Sequence, residues 1–413
     1  MTVREEEQRN ILESGPLHRA MVFFQQAEKL GAPGIVLIQL LAASLVSVNF
    51  NTWSAPLHIS IYAATVLFVF SLGDAVLWLW LPRRGISFGP WKAQTAVLLT
   101  PRTLACMALA AIGPWLGWTI ALATLILAQI CGSLLLWWAA VIEPQRLELT
   151  HLDLRVDTLP PDSEPVRLLH ISDIHLERLT GREEKLITLT REASPDIILM
   201  TGDYLNLSYN SDDLTKRQVA DLLARLEAPF GVYATLGSPP ADVRHEIVPV
   251  LEALPLCLLR DEWVEVQVGY DRRLTLLGLD CTHFLDEDAA SLARVAATAP
   301  NSAPRVLLYH SPELMPETGK HGIDLYLCGH THGGQVRLPL VGPILTSSQL
   351  GRRYVMGHYR QGDVNLYVSR GVGLEGLSAP RVRLLAPPEI TLITLHPAPS
   401  GSSNYERQAE SDK

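Results

Sequence analysis

The chain has 413 residues, of which 48% are apolar and only 19% charged, and a soluble chain of this length normally carries more charge, so part of it is expected in lipid. A net charge of −9 excludes nucleic acid as the main partner, because phosphate binding needs a basic surface. Five cysteines (Cys106, Cys131, Cys257, Cys281 and Cys328) show no paired spacing, which excludes a disulfide scaffold and a zinc-finger module.

Residues 1–33 read as an N-terminal segment. Its first 13 residues include four glutamates, unlike a cleavable signal peptide. Leu17, Met21, Phe24 and Ala27 form one stripe of a helix over Leu17–Leu30, either an interfacial amphipathic helix or a solvated helix leading into the first span. From Gly34 to Ile142 only Asp74, Arg83, Arg84, Lys92 and Arg102 are charged. Crossing a bilayer takes about 20 apolar residues, which divides 34–142 into four expected spans: 34–50, 56–81, 103–118 and 119–142. The last two come from one uncharged stretch, divided at Gly113-Pro114-Trp115-Leu116-Gly117-Trp118. Trp78, Trp80, Trp137 and Trp138 fall near span ends, where aromatic rings favour the headgroup level. Arg83, Arg84 and Lys92 lie between the second and third spans, and the other short links carry no positive charge. Positive residues favour the cytoplasmic side, so an even span count puts both termini there. Asp74 is the lone acid within the spans; pairing with Arg102 is favoured over an ion path.

Charge changes sharply near Glu143–Pro144. The first 142 residues hold 8 basic and 6 acidic side chains, the remainder 26 and 37. Residues 143–396 alternate short apolar runs with helical patterns at Arg182–Glu192 and Leu214–Leu226, after a half-buried strand at Leu147–Val156; this is an α/β pattern. Residues 397–413 are rich in Ser, Pro and charge, and are expected to be disordered.

Five buried strands end in polar ligand-type residues. Val166–Ile171 leads into Ser172-Asp173-Ile174-His175, Asp196–Thr201 into Gly202-Asp203-Tyr204, and Gly231–Leu236 into Gly237-Ser238-Pro239-Pro240. Arg305–Tyr309 leads into His310, and Ile323–Cys328 into Gly329-His330-Thr331-His332-Gly333-Gly334. Sites in α/β sheets form beyond the carboxyl ends of strands, so these loops can converge. Carboxylates with imidazoles and no thiolate suit Mn, Fe or Zn. Taken singly, an Asp at a strand end more often caps a helix and a His more often sits satisfied in a core. The ordered set is much harder to obtain by chance.

The segments LLHISDIH, PDIILMTGDY, GVYATLG, DLYLCGHTHGGQVRLP and LYVSRGVG resemble the calcineurin-like metallophosphoesterases, over roughly Arg167 to Leu395. Within that family they are similar to the membrane-associated bacterial branch that includes UDP-2,3-diacylglucosamine hydrolases. The resemblance implies a four-layer α-β-β-α sandwich, here preceded by an all-α transmembrane region of about four helices, and two divalent metal ions. It implies Asp173, His175 and His332 as ligands of the first metal, Asp203 as the bridge, and His310 and His330 as ligands of the second. It further implies a phosphoester or pyrophosphate substrate, with membrane tethering favouring a lipid-linked one, and a bacterial inner membrane; the distribution of positive charge puts the catalytic domain on its cytoplasmic side.

One block departs from the family pattern. Where the family has Gly-Asn-His followed by an acid, this chain has Gly237-Ser238-Pro239-Pro240. Ser238 offers a shorter hydroxyl in place of an amide ligand, and Pro239 has no donor in place of the histidine. Losing such a donor commonly costs about 10²–10⁴ in rate. His245 lies a few residues on and is a candidate donor, against a surface position on a helix over Ala241–Leu254. His283 and His170 are also available, each more simply a structural histidine. Gly371-Val372-Gly373 and Arg381 resemble the family's loop near the site entrance, against a glycine turn and a surface arginine. Asn206 is a candidate substrate contact or a turn residue, and Cys328 is most simply a buried small hydrophobe. Besides the hydrolase, two readings remain: a metal-binding regulatory module that lost turnover, and a transporter resting on Asp74 alone.

Overall fold

The computed structural model describes residues 16–397; the first 15 residues and the tail expected at the C-terminus lie outside the described residues. The chain forms two compact units, one of residues 16–144 with Glu375–Arg383, the other of Gln145–Leu374 with 384–397.

In the first unit, α1 (Pro16–Gln25) is followed by α2 (Ala32–Thr52), α3 (Leu57–Trp80), α4 (Trp91–Leu116) and α5 (Trp118–Trp137). The last four are long and apolar enough to cross a membrane. Val46, Phe50, Ala63, Leu67, Cys106, Ala110 and Leu125 pack between them, while Leu41, Val48, Val69, Leu127 and Leu134 face outward. Helices apolar on both faces suit a lipid surround. The expected third span starts too late: α4 begins at Trp91, not Thr103, and takes in Lys92, Pro101 and Arg102. Arg102 does not end the helix because its charge is met inside the bundle. Its Nε and Nη2 donate to the two Asp74 carboxylate oxygens at 2.6 and 2.7 Å, Nη1 to Gln129 Oε1 at 2.6 Å, and Nη2 to Ser133 Oγ at 2.9 Å. Asp74 is thereby occupied by pairing, the reading favoured over an ion path. Trp78 departs from the headgroup expectation, being buried against Leu81 and Ala140. The segment Glu375–Arg383 is stitched into this unit, with Arg381 N donating to Gln94 Oε1 at 3.1 Å and Arg383 N to Ala139 O at 2.8 Å.

The second unit is built on two six-stranded sheets. Its strands are β1 (Glu148–Val156), β2 (Val166–Ile171), β3 (Ile197–Met200), β4 (Val232–Ala234), β5 (Cys257–Leu258), β6 (Glu262–Val268) and β7 (Arg272–Gly278). There follow β8 (Arg305–Leu308), β9 (Leu325–Cys328), the short β10 (Arg337–Leu338) and β11 (Gly342–Pro343), then β12 (Gly357–Gln361), β13 (Val364–Val368) and β14 (Glu389–Pro397). One sheet runs β1-β14-β2-β3-β4-β5 and the other β12-β13-β9-β8-β7-β6. The strands β2, β3, β8 and β9 are almost wholly buried, which is why they read as unbroken apolar runs rather than alternating ones.

Four layers result. Leu168, Ile197, Leu199, Leu276, Val306 and Leu325 fill the space between the sheets. On the outer face of the first sheet, α6 (Gly181–Ala193), α7 (Asp213–Leu223) and α8 (Arg244–Glu252) bury Leu186, Val219, Leu222 and Ile247. On the outer face of the second, α9 (Leu285–Thr298) buries Leu292 and Val295. The architecture is the α-β-β-α sandwich the sequence led us to expect. Parallel pairing of β2 with β3 and of β3 with β4, and of β7 with β8 and of β8 with β9, brings their carboxyl ends to one edge of the sandwich, where the polar loops collect.

Candidate metal centre

Two groups of donor atoms meet at that edge. Asp173, His175 and His332 form one, and Asp203, His310 and His330 the other, each with its ligand atoms within 4.8 Å of one another. In the first, His175 Nε2 and His332 Nε2 lie 3.0 Å apart, with Asp173 Oδ1 3.6 Å from His332 Nε2. In the second, His310 Nε2 is 3.2 Å from both Asp203 Oδ2 and His330 Nδ1. Asp203 Oδ2 also lies 3.4 Å from His175 Nε2. One carboxylate oxygen therefore faces both groups.

The backbone is bent to aim these side chains. Asp173, His175, Asp203, His330 and His332 all adopt left-handed conformations, with φ between +41° and +69°, a region that costs free energy for non-glycine residues and clusters at functional sites. Close approach sets the glycines: a Cβ on Gly329 would stand 1.9 Å from Asp173 Oδ2. The Gly371-Val372-Gly373 turn lies against the same ligands, Val372 N donating to Ser172 O and Gly373 N to Asp173 O.

The ring orientations suit cations. His175 Nδ1 faces Leu205 O at 3.3 Å, His310 Nδ1 faces Thr201 O at 2.8 Å, and His330 Nε2 faces Ser347 O at 2.8 Å. A carbonyl only accepts, so in each ring that nitrogen carries a proton and the other is turned inward, with a lone pair to offer when the ring is neutral. The inward nitrogens of His310 and His330, 3.2 Å apart, repel as lone pairs unless a positive charge lies between them. The charges agree. Burial opposes ionisation of Asp203, yet His310, His175 and His330 hold it well below the usual carboxylate range. Burial disfavours charge on His310 as well, but Asp203 and Asp173 raise it to about 10, so with no cation present a proton takes the inward nitrogen and supplies the positive charge this place attracts. Burial raises the Asp173 carboxyl, and the second anion at Asp203 adds to this. Two anions and four inward imidazoles attract positive charge, and the donor set fits two divalent cations of the Mn, Fe or Zn type.

The remaining sequence candidates separate cleanly. Ser238 is at the centre, its N donating to Asp203 Oδ1 at 2.6 Å and its Oγ 3.4 Å from His330 Nδ1. His245 is not: it stands on α8 with its side chain 81% exposed, beside Glu246. The surface position on a helix, the reading the sequence favoured, is the one found. Asn206 is a loop clamp, donating to Leu374 O and accepting from Ser208 N. Arg381 is buried in the helical unit rather than placed on a surface. His170 is buried behind β2, bonded to Thr201 Oγ1 and pushed down to about 3 by burial. Cys328 is a buried thiol, as expected.

His283 is the histidine that does reach the centre. Its Nε2 lies 3.0 Å from Ser238 Oγ, and its ring centroid 4.9 Å from that of His330. Burial, aided by His330 and His310, holds this imidazole well below its usual value, so it is neutral near pH 7. Sequence reading also missed Asp242. Its carboxylate accepts from the backbone N–H of Asp203, Tyr204 and Gly237 at 2.8–2.9 Å, while burial and then Asp203 push it up to about 6. The signal was an acid two positions beyond Pro240, where the family places one directly after its histidine. Asp242→Ala would strand three buried donors at about 1–3 kcal/mol each. We expect the thermal unfolding midpoint of the full-length protein to fall by several degrees and Asp242→Asn to retain part of the loss.

The chain is similar to several known proteins. The family model for calcineurin-like phosphoesterases matches residues 166–238, ending at Ser238, where the turn departs from the family pattern. The metallophosphoesterase YkuE of Bacillus subtilis is 31% identical over 264 residues, covering 62% of this chain and 88% of that protein. The phosphodiesterase YaeI of Escherichia coli is 30% identical, covering 57% and 83%. The UDP-2,3-diacylglucosamine pyrophosphatase LpxG of Chlamydia muridarum is 26% identical over 335 residues, covering 68% and 97%. Fold and site define a phosphoesterase class. The chain belongs to the calcineurin-like metallophosphoesterase family.

Proposed function

We propose that this protein is a membrane-anchored, metal-dependent phosphohydrolase acting on the phosphoester or pyrophosphate bond of a lipid-linked substrate. The observation that carries the reading is Asp203 Oδ2, placed within 3.4 Å of an inward nitrogen of each cluster. Asp173, His175 and His332 would hold one cation, His310, His330 and Ser238 Oγ the other, and Asp203 both. Two bound cations supply Lewis acidity for phosphoryl oxygens and an activated water for in-line attack. The protein's own side chains orient the donors: Asp242 fixes the Asp203 and Gly237 turns, and the three carbonyls fix the imidazole tautomers. Pro239 brings no side-chain donor to the leaving group, so esters with poor leaving groups are expected to turn over more slowly than activated ones.

Several observations support a lipid-linked substrate. Residues 34–142 supply four apolar helices as an anchor for a catalytic region over 143–396. Next to the centre, β10 and β11 form a hairpin whose Leu338, Leu340, Val341, Ile344 and Leu345 are exposed. Just past it, Ser347 accepts from His330. A contiguous apolar tip is costly in water and suits acyl chains. The Chlamydia relative is named a UDP-2,3-diacylglucosamine pyrophosphatase. Arg83, Arg84 and Lys92 support a catalytic side facing the cytoplasm, in a bacterial inner membrane. The missing donor at Pro239 favours a second reading, a metal-binding regulatory module without turnover.

Detergent-purified protein with Mn²⁺, assayed against mono-, di- and lipid-pyrophosphate esters, separates the two. Hydrolysis of any of them supports the enzyme, and bound metal without hydrolysis of any supports the module. Leu340→Asp is expected to lower kcat/KM on a lipid-embedded ester about tenfold or more, leaving a soluble p-nitrophenyl ester within twofold. Equal effects on both substrates would remove the hairpin from the account.

A further inference from the structure

The turn that departs from the family pattern has a neighbour that compensates for it. Around a cation with bonds of about 2.1 Å, adjacent ligand atoms lie roughly 3 Å apart. His310 Nε2 and His330 Nδ1 satisfy this at 3.2 Å, and Ser238 Oγ extends the set at 3.4 Å from His330 Nδ1. A serine hydroxyl is a poor ligand unless its proton points away from the cation, which requires an acceptor on the far side. His283 Nε2 is such an acceptor at 3.0 Å, and the other nitrogen of its ring, Nδ1, faces Cys281 Sγ at 3.7 Å.

The loop that carries His283 is firmly held. His283 itself has φ +62°, a strained conformation for a residue with a side chain. Thr282 donates from N and Oγ1 to Asp288, and Tyr309 Oη, next in the chain to His310, donates to the same carboxylate. Arg244 ties the two loops together, with Nη1 donating to Gly237 O at 3.0 Å and Nη2 to Cys281 O at 2.7 Å. Strain braced from three directions marks a side chain kept in place for a purpose.

We infer that His283 is a positioning residue for the second cation: from the loop after β7 it orients the Ser238 hydroxyl, and the two together replace the asparagine ligand of the family's turn. The inference rests on the two-cation reading above. Supporting groups of this kind typically carry 10–100-fold of metal affinity.

The test uses full-length protein in detergent, loaded with Mn²⁺ and followed by metal analysis and electron paramagnetic resonance. Wild type should bind two cations per chain and show the spectrum of a coupled pair. His283→Leu should bind one, with an isolated-Mn²⁺ spectrum and a second-site dissociation constant raised about tenfold or more. His283→Gln, whose amide oxygen can accept the same proton, should restore the pair. Ser238→Ala, a small change with little bearing on folding, should match His283→Leu, and the double variant should lose nothing further. Two tightly held cations in either single variant would overturn the inference while leaving the two-cation reading intact. Additive losses would overturn it too, by showing separate roles. Fewer than two cations in wild type would overturn the two-cation reading and this inference with it.

Discussion

Asp203→Ala is expected to empty both cation positions and to lower hydrolysis by about three orders of magnitude or more. Among the described residues no other side chain serves both clusters so directly. Its Oδ2 is within 3.4 Å of His175 Nε2 and His310 Nε2, and its Oδ1 accepts from Ser238 N. Removing it takes a ligand from each cation, a negative charge from a buried site, and the partner of the Ser238 turn. Asp203→Asn keeps the shape and one oxygen but loses the charge that offsets two cations, so it should retain some fold stability while losing the metal. Metal analysis of the purified variants checks this. Two cations retained by Asp203→Ala would remove the bridge from the account.

The second large effect lies in the helical unit. Arg102→Leu leaves Asp74 buried, without its bidentate partner, among α3, α4 and α5. Breaking a buried pair by removing one member costs about 3–5 kcal/mol, because the other charge is stranded. We expect full-length Arg102→Leu to aggregate or to lose ten degrees or more of thermal midpoint in mild detergent. Replacing both residues, Asp74→Leu with Arg102→Leu, should recover most of that loss. Gln129 and Ser133 also donate to or accept from this network, so the double variant should stop short of full recovery. An unchanged midpoint in the single variant would show the pair to be idle. Asp74→Asn should leave hydrolysis unchanged, which separates this cluster from the chemistry.

Much of the site was legible because its signals are local. Asp173-x-His175, Gly202-Asp203 and His330-x-His332 each follow an apolar run that the structure folds as β2, β3 or β9, and side chains at strand ends converge by the geometry of parallel sheets. What was illegible depends on contacts distant in sequence. Arg102 looked like a helix boundary although its pairing with Asp74 was legible, because the further partners that hold it inside the bundle, Gln129 and Ser133, lie 27 and 31 residues away. Trp78 looked interfacial because its burial is decided by Leu81 and Ala140 on the folded bundle. His283 looked bland because its loop is placed by Asp288, Tyr309 and Arg244, none of which marks the sequence with a motif.

The central claim is that the two clusters hold cations that hydrolyse a phosphoester. The most direct measurement is release of p-nitrophenol from bis-p-nitrophenyl phosphate by detergent-purified full-length protein, with its metal content determined on the same sample. The account predicts two cations per chain, turnover that a chelator abolishes and Mn²⁺ restores, and no turnover in Asp203→Asn. Turnover that persists unchanged in Asp203→Asn, or no turnover with two cations bound, would contradict it.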